Sequence, residues 1–344
     1  MDQSFLNRFL KITPFFCAVM VIGIHSYIKT GEEITAGGVV QSVLCHGFFT
    51  AAVPIFFMIS GYLFYRNADS FSVVLKKQKK RVLTYFVPFI SWSLLYYIAY
   101  FVMNKAGTGK TAVDTSVSGV IKGVLFYRYL FPFWFMFALI VYTLLADVIY
   151  LILKNRAASI AVLAVCAAAG AFAVSFKINI DTNTARTIFS PGFFMYYFTG
   201  AFAAVQKEKF LRLCETFRKM SFPLVISLLF VSGVLEGLNY DYFKIFNKRI
   251  LVPFVAFFTF VLFDKLSVVL YEKNFSFDKF STFAMYGAHP MIGMLLSIPL
   301  SWFSLPLLPK YFISFLLCTA LSVAVSFVIK KIKPLKFILC GNRK

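Results

Sequence analysis

Apolar segments of about 20 residues recur along almost the whole chain, and they constrain its fold more than any other feature. A segment of that length, wound into an α-helix, crosses a hydrocarbon layer of roughly 30 Å. Hydrophobic residues make up 60% of the 344 residues, and charged residues only 14%. An ordinary soluble domain has roughly 25% charged residues. The sequence therefore predicts a multi-pass helical membrane protein, and not an outer-membrane barrel, whose strands alternate over about 10 residues.

Ten apolar segments are long enough to be membrane spans, so we predict an all-α fold of about ten transmembrane helices in one domain covering residues 1–344. The connecting segments are too short for a separate soluble domain. We expect no cleavable signal peptide, because the first apolar segment lacks a small-residue cleavage site and continues as a full span. The predicted spans are residues 10–28, 43–65, 82–103, 131–153, 157–176, 188–206, 221–238, 249–265, 281–300 and 311–330.

The basic residues indicate which ends of these helices face the cytoplasm. When the connecting segments are assigned alternately to two sides, one side holds 24 Lys and Arg and the other 11. Positive residues prefer the cytoplasmic side, so both termini are predicted to be cytoplasmic, in an inner or plasma membrane. The net charge of +21 lies in these short loops, which argues against nucleic acid as a partner.

Polar side chains inside predicted spans are the candidates for chemistry. His25 lies 14 residues after Lys11, or roughly 21 Å along the helix, which puts it in the outer half of the membrane. An ionisable residue at that depth is costly and suggests a functional site, and a neutral imidazole suits general acid or base catalysis. A structural histidine, bonded to a neighbouring helix or lying at the interface, is an equally good explanation of this residue alone. Glu236, at a similar depth, is the predicted partner that orients His25, and His289 is a second intramembrane histidine.

Three further motifs have both a structural and a functional interpretation. Ser60 precedes Gly61 in a predicted span, where small residues favour helix packing. The segment LKKQKKR (residues 75–81) stands at the predicted inner surface, where it is either a topology signal or a site for an anionic group such as phosphate. Trp134 opens a span, as aromatic residues of the membrane interface do. The six cysteines show no Cys-x-x-Cys spacing, so we expect neither a metal site nor a disulfide framework.

Taken together and in order, six segments resemble acyltransferase family 3, a family of integral membrane O-acyltransferases. The segments are VMVIGIHS, VPIFFMISGYLFYR, KKQKKRVLTYFVPFISW, FPFWFMFALIVYTLL, SPGFFMYYFTGAFAAVQK and STFAMYGAHPMI. The resemblance implies transfer of an acyl group, most often acetyl, from cytoplasmic acyl-CoA through the membrane. It implies a hydroxyl of a cell-surface or lipid-linked saccharide as the acceptor. Membrane lipid is a further partner, no metal is needed, and a homodimer is left open.

Within that mechanism, we expect the phosphates of CoA to bind the basic segment. Arg81 and Lys80 are the first choices, with Lys77 and Lys11 in support. The pantetheine arm would pass between helices to His25, which either deprotonates the acceptor hydroxyl or carries the acyl group itself. The other residues expected along this path are Ser60, Trp134 and His289.

The chain departs from the resemblance at Pro14, where similar proteins usually carry an arginine eleven residues before the first-span histidine. Either Lys11 replaces that arginine, or the donor is held differently, or activity is compromised. Three other functions therefore stay open: a secondary transporter, a lipid or polysaccharide flippase, and an inactive family member. A transporter often shows repeated halves, and the sequence has no such symmetry.

Overall fold

A computed structural model describes residues 3–28, 35–108, 112–181, 184–237, 241–273, 277 and 280–341. Within these ranges the protein is helical apart from one two-stranded antiparallel sheet, made of β1 (Phe176–Asp181) and β2 (Thr184–Phe189). The helices are α1 (Gln3–His25), α2 (Ala36–Ser42), α3 (Ala52–Tyr65), α4 (Phe71–Lys105), α5 (Val117–Leu125), α6 (Trp134–Leu144), α7 (Ala146–Lys154), α8 (Arg156–Ala171), α9 (Pro191–Val205), α10 (Lys207–Phe217), α11 (Ser221–Gly237), α12 (Asp241–Phe246), α13 (Val252–Glu272), α14 (Thr282–Ser301), α15 (Leu307–Lys331) and α16 (Lys333–Cys340).

The structure supports a membrane protein, although fewer helices than predicted are long enough to cross a bilayer. Among the described residues, five continuous helical stretches meet the length and apolarity of a span. A sixth is added if α6 and α7, which meet at 63°, count as one broken span. Each of the ten predicted spans overlaps a helix, but the crossings by the shorter helices, and the cytoplasmic position of the termini, remain predictions. The five stretches are Ala36–Tyr65, Phe71–Lys105, Arg249–Glu272, Thr282–Ser301 and Leu307–Lys331.

The antiparallel hairpin of β1 and β2 was not predicted, although the described chain is otherwise helical, as the all-α assignment expects. Its first strand, FKINID, alternates apolar and polar residues, as a strand with one packed face does. The predicted spans 157–176 and 188–206 run into this hairpin, whereas α8 ends at Ala171 and α9 begins at Pro191. The phenol of Tyr127, which follows α5, donates a hydrogen bond of 3.0 Å to the carbonyl of Thr187 and fixes the hairpin to the bundle.

The predicted continuous span 131–153 is bent between α6 and α7. Side chains from neighbouring elements bond the carbonyls on either side of the bend. Gln78 Nε2 donates to the carbonyl of Leu144 at 2.9 Å, and the phenol of Tyr65 donates to the carbonyl of Ala146 at 2.9 Å. Kinks occur where other groups replace the helical hydrogen bonds, so the bend is part of the packing and not a fraying of the helix.

Helix α4 defines the two ends of the bundle. Its first turns carry the basic segment Lys76–Arg81, and Gln78 there contacts the end of α6. At the far end, the ring of Tyr97 packs against Tyr129, just before α6, at 5.6 Å between centroids. We call the first end the collar end. We call the second the hairpin end, because Tyr127 attaches the β-hairpin there.

Candidate active site

Two histidines from distant parts of the sequence meet between α1 and α14. His25 is the last residue of α1, and the centroid of its ring lies 5.1 Å from that of His289. His289 is only 1% exposed, whereas His25 is exposed. The pair therefore consists of a fully buried histidine and one at the exposed end of α1.

A proline fixes the tautomer of His289. Pro290 has no N–H, so the carbonyl of Tyr286, four residues earlier, loses its usual helical donor. His289 Nδ1 lies 2.7 Å from that carbonyl oxygen. Because a carbonyl oxygen only accepts, Nδ1 must carry the hydrogen, and in the neutral ring Nε2 is then an acceptor.

The Nε2 atom of His289 is buried and has no hydrogen-bond partner among the described residues. A buried acceptor left unbonded is unfavourable, and such an atom in a native structure calls for an explanation. The imidazole of His25 is the adjacent polar ring. This geometry gives His289 an acceptor for an N–H of His25 or for the hydroxyl of a bound molecule.

The turn of α14 that carries His289 is held by a hydroxyl inserted into the helix. The phenol of Tyr96 donates to the carbonyl of Gly287 at 2.9 Å and accepts from the backbone N–H of Met291 at 2.9 Å. These two backbone groups would bond each other directly in an uninterrupted α-helix. Tyr96 thus bridges the helix next to the Pro290 break and fixes the backbone around His289.

A cavity of about 180 Å³ lies between Arg81, at the collar end, and Tyr286, three residues before His289. Residues of α1, α3, α4, α6 and α14 line it, among them Pro14, Ser60, Arg81 and Tyr286. The ring of Tyr286 lies 5.9 Å from that of His289, centroid to centroid, and its phenol donates to the carbonyl of Pro132. Tyr286 therefore forms the wall between this cavity, which we call the inner cavity, and the histidine pair.

Arg81 is the one cation among the described residues that line the inner cavity, and it is half-buried. Its guanidinium lies 5.7 Å from the centroid of the Tyr85 ring, a contact of the cation–π type. Pro14, at the position where similar proteins carry arginine, lines the same cavity. A positive charge thus reaches this space from α4, whereas Pro14, the described residue of α1 that lines it, is uncharged.

The other predicted cation sites have different surroundings. The ammonium of Lys77 donates to the carbonyls of Phe64 and Arg66, at 3.1 and 2.5 Å, and so caps the end of α3. Lys80 is exposed, and Lys11 lies with its ammonium 6.0 Å from the ring of Tyr271. Neither Lys80 nor Lys11 is among the described residues that line the inner cavity.

The remaining two predicted site residues are Trp134 and Glu236. Trp134 lines a separate, larger pocket towards the hairpin end, while its neighbour Phe135 lines the inner cavity. The side chain of Glu236 lies outside the described residues, so its predicted pairing with His25 remains a prediction. Within the described ranges, no three His, Cys, Asp or Glu side chains form a group that could hold a metal ion.

Sequence reasoning missed the roles of Tyr96 and Tyr286. The segment YGAHP contained a usable signal for Tyr286, because a proline four residues later always frees a helical carbonyl. Nothing local marks Tyr96, one of several tyrosines in the segment LLYYIAY. Its contact with α14 is a property of the tertiary fold.

Comparison with known proteins gives one family match. A family model described as an acyltransferase domain, that of acyltransferase family 3, matches residues 9–331. The match includes α1 through α15 and therefore both histidines, the basic segment and the inner cavity. No curated protein and no solved structure matches the chain.

Proposed function

Because this chain belongs to acyltransferase family 3, we propose that it moves an acyl group, in the simplest case acetyl, from cytoplasmic acyl-CoA to a hydroxyl of an extracytoplasmic saccharide. The proposal places the protein in an inner or plasma membrane, with the collar end on the cytoplasmic side. The observation that carries it is the inner cavity, which has Arg81 in one part of its wall and Tyr286, one turn from His289, in another.

The donor is proposed to bind from the collar end. Arg81 offers a planar set of N–H donors that matches phosphate oxygens, and CoA carries such groups. The pantetheine arm is thin enough to follow a cavity whose wall is largely apolar. Ser60, which lines that cavity, is proposed to donate a hydrogen bond to the thioester oxygen. The thioester would then reach the ring of Tyr286, which lies beside His289.

The transfer step is assigned to His25, with His289 in support. On the direct route, His25 accepts the proton of the acceptor hydroxyl as the hydroxyl oxygen attacks the thioester carbonyl. The carbon–sulfur bond breaks, and the departing thiolate of CoA takes up that proton. The acceptor Nε2 of His289 can receive a hydrogen bond from His25 while it is protonated. On the second route, an imidazole nitrogen of His25 attacks the thioester carbonyl, and the CoA thiolate leaves and takes up the imidazole proton. The acceptor hydroxyl then attacks the acyl group on His25, and its proton returns to the imidazole.

The test is release of free CoA thiol by the purified protein, with acetyl-CoA and saccharide acceptors. We expect His25→Ala to abolish acceptor-dependent release without loss of folding. His46→Ala is the matched control, because His46 packs against Tyr27 and not against His289, and it should retain activity. Full activity of His25→Ala would refute the assignment of His25.

Donor binding is tested separately by acetyl-CoA affinity. Arg81→Ala should weaken it by about 1.5–3 kcal/mol, the value of a charge-assisted hydrogen bond. The exposed neighbour Lys80 provides the control, since Lys80→Ala changes the net charge equally without altering the cavity wall. Equal losses in both variants would show that only the total charge of the basic segment matters.

A further inference from the structure

A second cavity, larger than the inner cavity and separate from it, lies at the hairpin end. Its volume is about 870 Å³, and its walls come from α6, α8, the β-hairpin, α9 and the start of α13. That volume is within the range of roughly 300–1,000 Å³ found for small-molecule sites. We call it the hairpin pocket.

The described charged residues that line the hairpin pocket are all basic. Lys177, Arg186 and Arg249 line it, and none of its described lining residues is acidic. Arg249 Nη1 donates to the carbonyl of Ala171 at 3.1 Å, and Arg186 Nη2 donates to the carbonyl of Arg128 at 3.2 Å. The carbonyl oxygen that holds the guanidinium of Arg249 in place is a neutral acceptor. Arginines held in this way are suited to an anion with several oxygen atoms.

The rest of the pocket wall is apolar and aromatic. Trp134 and Phe193, whose ring centroids are 4.5 Å apart, both line it. Phe254 of α13 lines it too, although 53% of that residue is exposed. An exposed aromatic residue at the edge of a transmembrane helix indicates that the pocket opens sideways, towards lipid. A ligand that fits this wall has a hydrocarbon part as well as a negative charge.

The depth of the pocket in the bilayer follows from its secondary structure. An open two-stranded sheet leaves backbone groups unbonded at its edges, so it is not found exposed to hydrocarbon. The hairpin, with Lys177 and Arg186, must therefore lie outside the apolar layer, while α6, α9 and α13 extend into it. The pocket thus spans the boundary between head groups and acyl chains.

We propose that the hairpin pocket binds an anionic lipid whose head group carries a phosphate. Arg186 and Arg249 hold the phosphate oxygens, and the hydrocarbon chain lies against Trp134, Phe193 and Phe254. This site is distinct from the acyl-CoA path, and it does not depend on the proposed acyl transfer.

The position of Trp134 in the pocket wall allows a direct test by fluorescence quenching. The full-length protein, in nanodiscs of phosphatidylcholine, is titrated with phosphatidylglycerol whose chains carry bromine, which quenches a nearby tryptophan. Trp302 is replaced by Phe throughout, because it is 76% exposed and would respond to any brominated lipid. We expect saturable quenching by brominated phosphatidylglycerol and much weaker quenching by brominated phosphatidylcholine. The quenching should disappear in Trp134→Phe.

The arginines are tested in the same titration. Arg186→Gln and Arg249→Gln should each raise, about tenfold, the fraction of brominated phosphatidylglycerol needed for half-maximal quenching. Loss of a charge-assisted hydrogen bond has an effect of this size. Lys122→Gln is the matched control, because Lys122 is an exposed cation of α5 that does not line the pocket. Thermal unfolding in phosphatidylcholine alone reports whether each variant folds. Where Arg186→Gln or Arg249→Gln unfolds, Arg186→Lys or Arg249→Lys replaces it and should keep the preference for phosphatidylglycerol.

Three results would overturn the proposal. One is equal quenching by the two lipids, and another is a loss in Lys122→Gln as large as in the arginine variants. The third result would show that the hydrocarbon chains of the lipid do not contribute to binding. If glycerol phosphate displaces the brominated lipid at equal concentration, the pocket is a site for free phosphate and not for a lipid.

Discussion

At the scale of single residues, the candidate site depends on the backbone N–H that Pro290 lacks. Without that proline, the carbonyl of Tyr286 would accept a backbone N–H and would not need the Nδ1 of His289. The proline therefore determines which nitrogen of His289 carries hydrogen, and leaves Nε2 as the acceptor next to His25. In this way Pro290 influences His289, which faces the ring of His25.

This dependence predicts the effect of Pro290→Ala. The alanine N–H competes for the carbonyl of Tyr286, so the hydrogen bond from Nδ1 of His289 to that carbonyl is weakened. We expect kcat to fall roughly five- to tenfold, corresponding to one hydrogen bond of about 1 kcal/mol, while the affinity for acetyl-CoA is unchanged. Steady-state kinetics of thiol release measure both quantities.

The same helix supplies the control for that variant. Pro299 is the second proline inside α14, more than two turns beyond His289, and Pro299→Ala should leave kcat as it is. An unaltered kcat in Pro290→Ala, or an equal fall in both variants, would show that the tautomer of His289 has no part in the transfer.

At the scale of elements, α14 is positioned by α4 through the inserted hydroxyl of Tyr96. Tyr96→Phe leaves the carbonyl of Gly287 and the N–H of Met291 without their bridge, and each orphaned group costs about 1–3 kcal/mol. We expect a lower temperature of unfolding and a lower kcat, because the turn that carries His289 shifts. The affinity for acetyl-CoA should stay the same, since Tyr96 is not among the described residues of the inner cavity.

Tyr100→Phe is the control one turn further along α4, where the ring of Tyr100 packs against Tyr129. It removes a hydroxyl from the same helix and should change neither the unfolding temperature nor kcat appreciably. A Tyr96→Phe protein that loses stability but keeps its kcat would make Tyr96 a purely structural residue.

The packing of α3 against α9 requires glycine in both helices. A Cβ on Gly61 would overlap the carbonyl oxygen of Tyr197, and a Cβ on Gly200 would overlap that of Met58. Either alanine forces the two backbones apart, and overpacking of this kind costs about 1–3 kcal/mol or more. We therefore expect Gly61→Ala and Gly200→Ala each to lower the unfolding temperature measured in detergent. Gly293→Ala should not lower it, because no atom lies within 4 Å of a Cβ at that position.

The element scale also shows what the sequence could and could not predict. The close approach at Gly61 was one of two interpretations of the Ser60–Gly61 pair, and the structure confirms it. The hairpin was predictable from the alternation in FKINID, but the surrounding apolar segments masked that signal. The bend after α6 was not predictable, because its hydrogen bonds come from Tyr65 and Gln78, in other elements.

At the scale of the whole molecule, the sequence located the two histidines but not their contact. Depth along a helix follows from counting residues, so His25 and His289 could each be placed inside a predicted span. Which faces of α1 and α14 meet depends on how all the helices pack, and a single sequence does not record that packing. The prediction that Glu236 orients His25 was based on depth alone and stays a prediction. The contact of His289 with His25 is a separate finding that the sequence did not indicate.

The orientation of the whole bundle is the last prediction, and the route of the acyl group depends on it. Helix α4 carries the basic segment at its start and leads to α5 at its other end. From Lys79 to Lys105 it extends roughly 39 Å at 1.5 Å per residue, enough to separate the two sides of a bilayer. If the excess of Lys and Arg sets the orientation, Lys79 is cytoplasmic and Lys122 extracytoplasmic.

Cysteine labelling in intact cells measures this orientation, because all six native cysteines are buried, whereas Lys79 and Lys122 are exposed. A membrane-impermeant maleimide should label Lys122→Cys in intact cells, and should label Lys79→Cys only after the cells are permeabilised. The reverse pattern would put the basic segment outside, away from cytoplasmic acyl-CoA. Arg81 could then no longer bind the donor from the cytoplasm, and the proposed direction of transfer would be wrong, even if His25 proved essential.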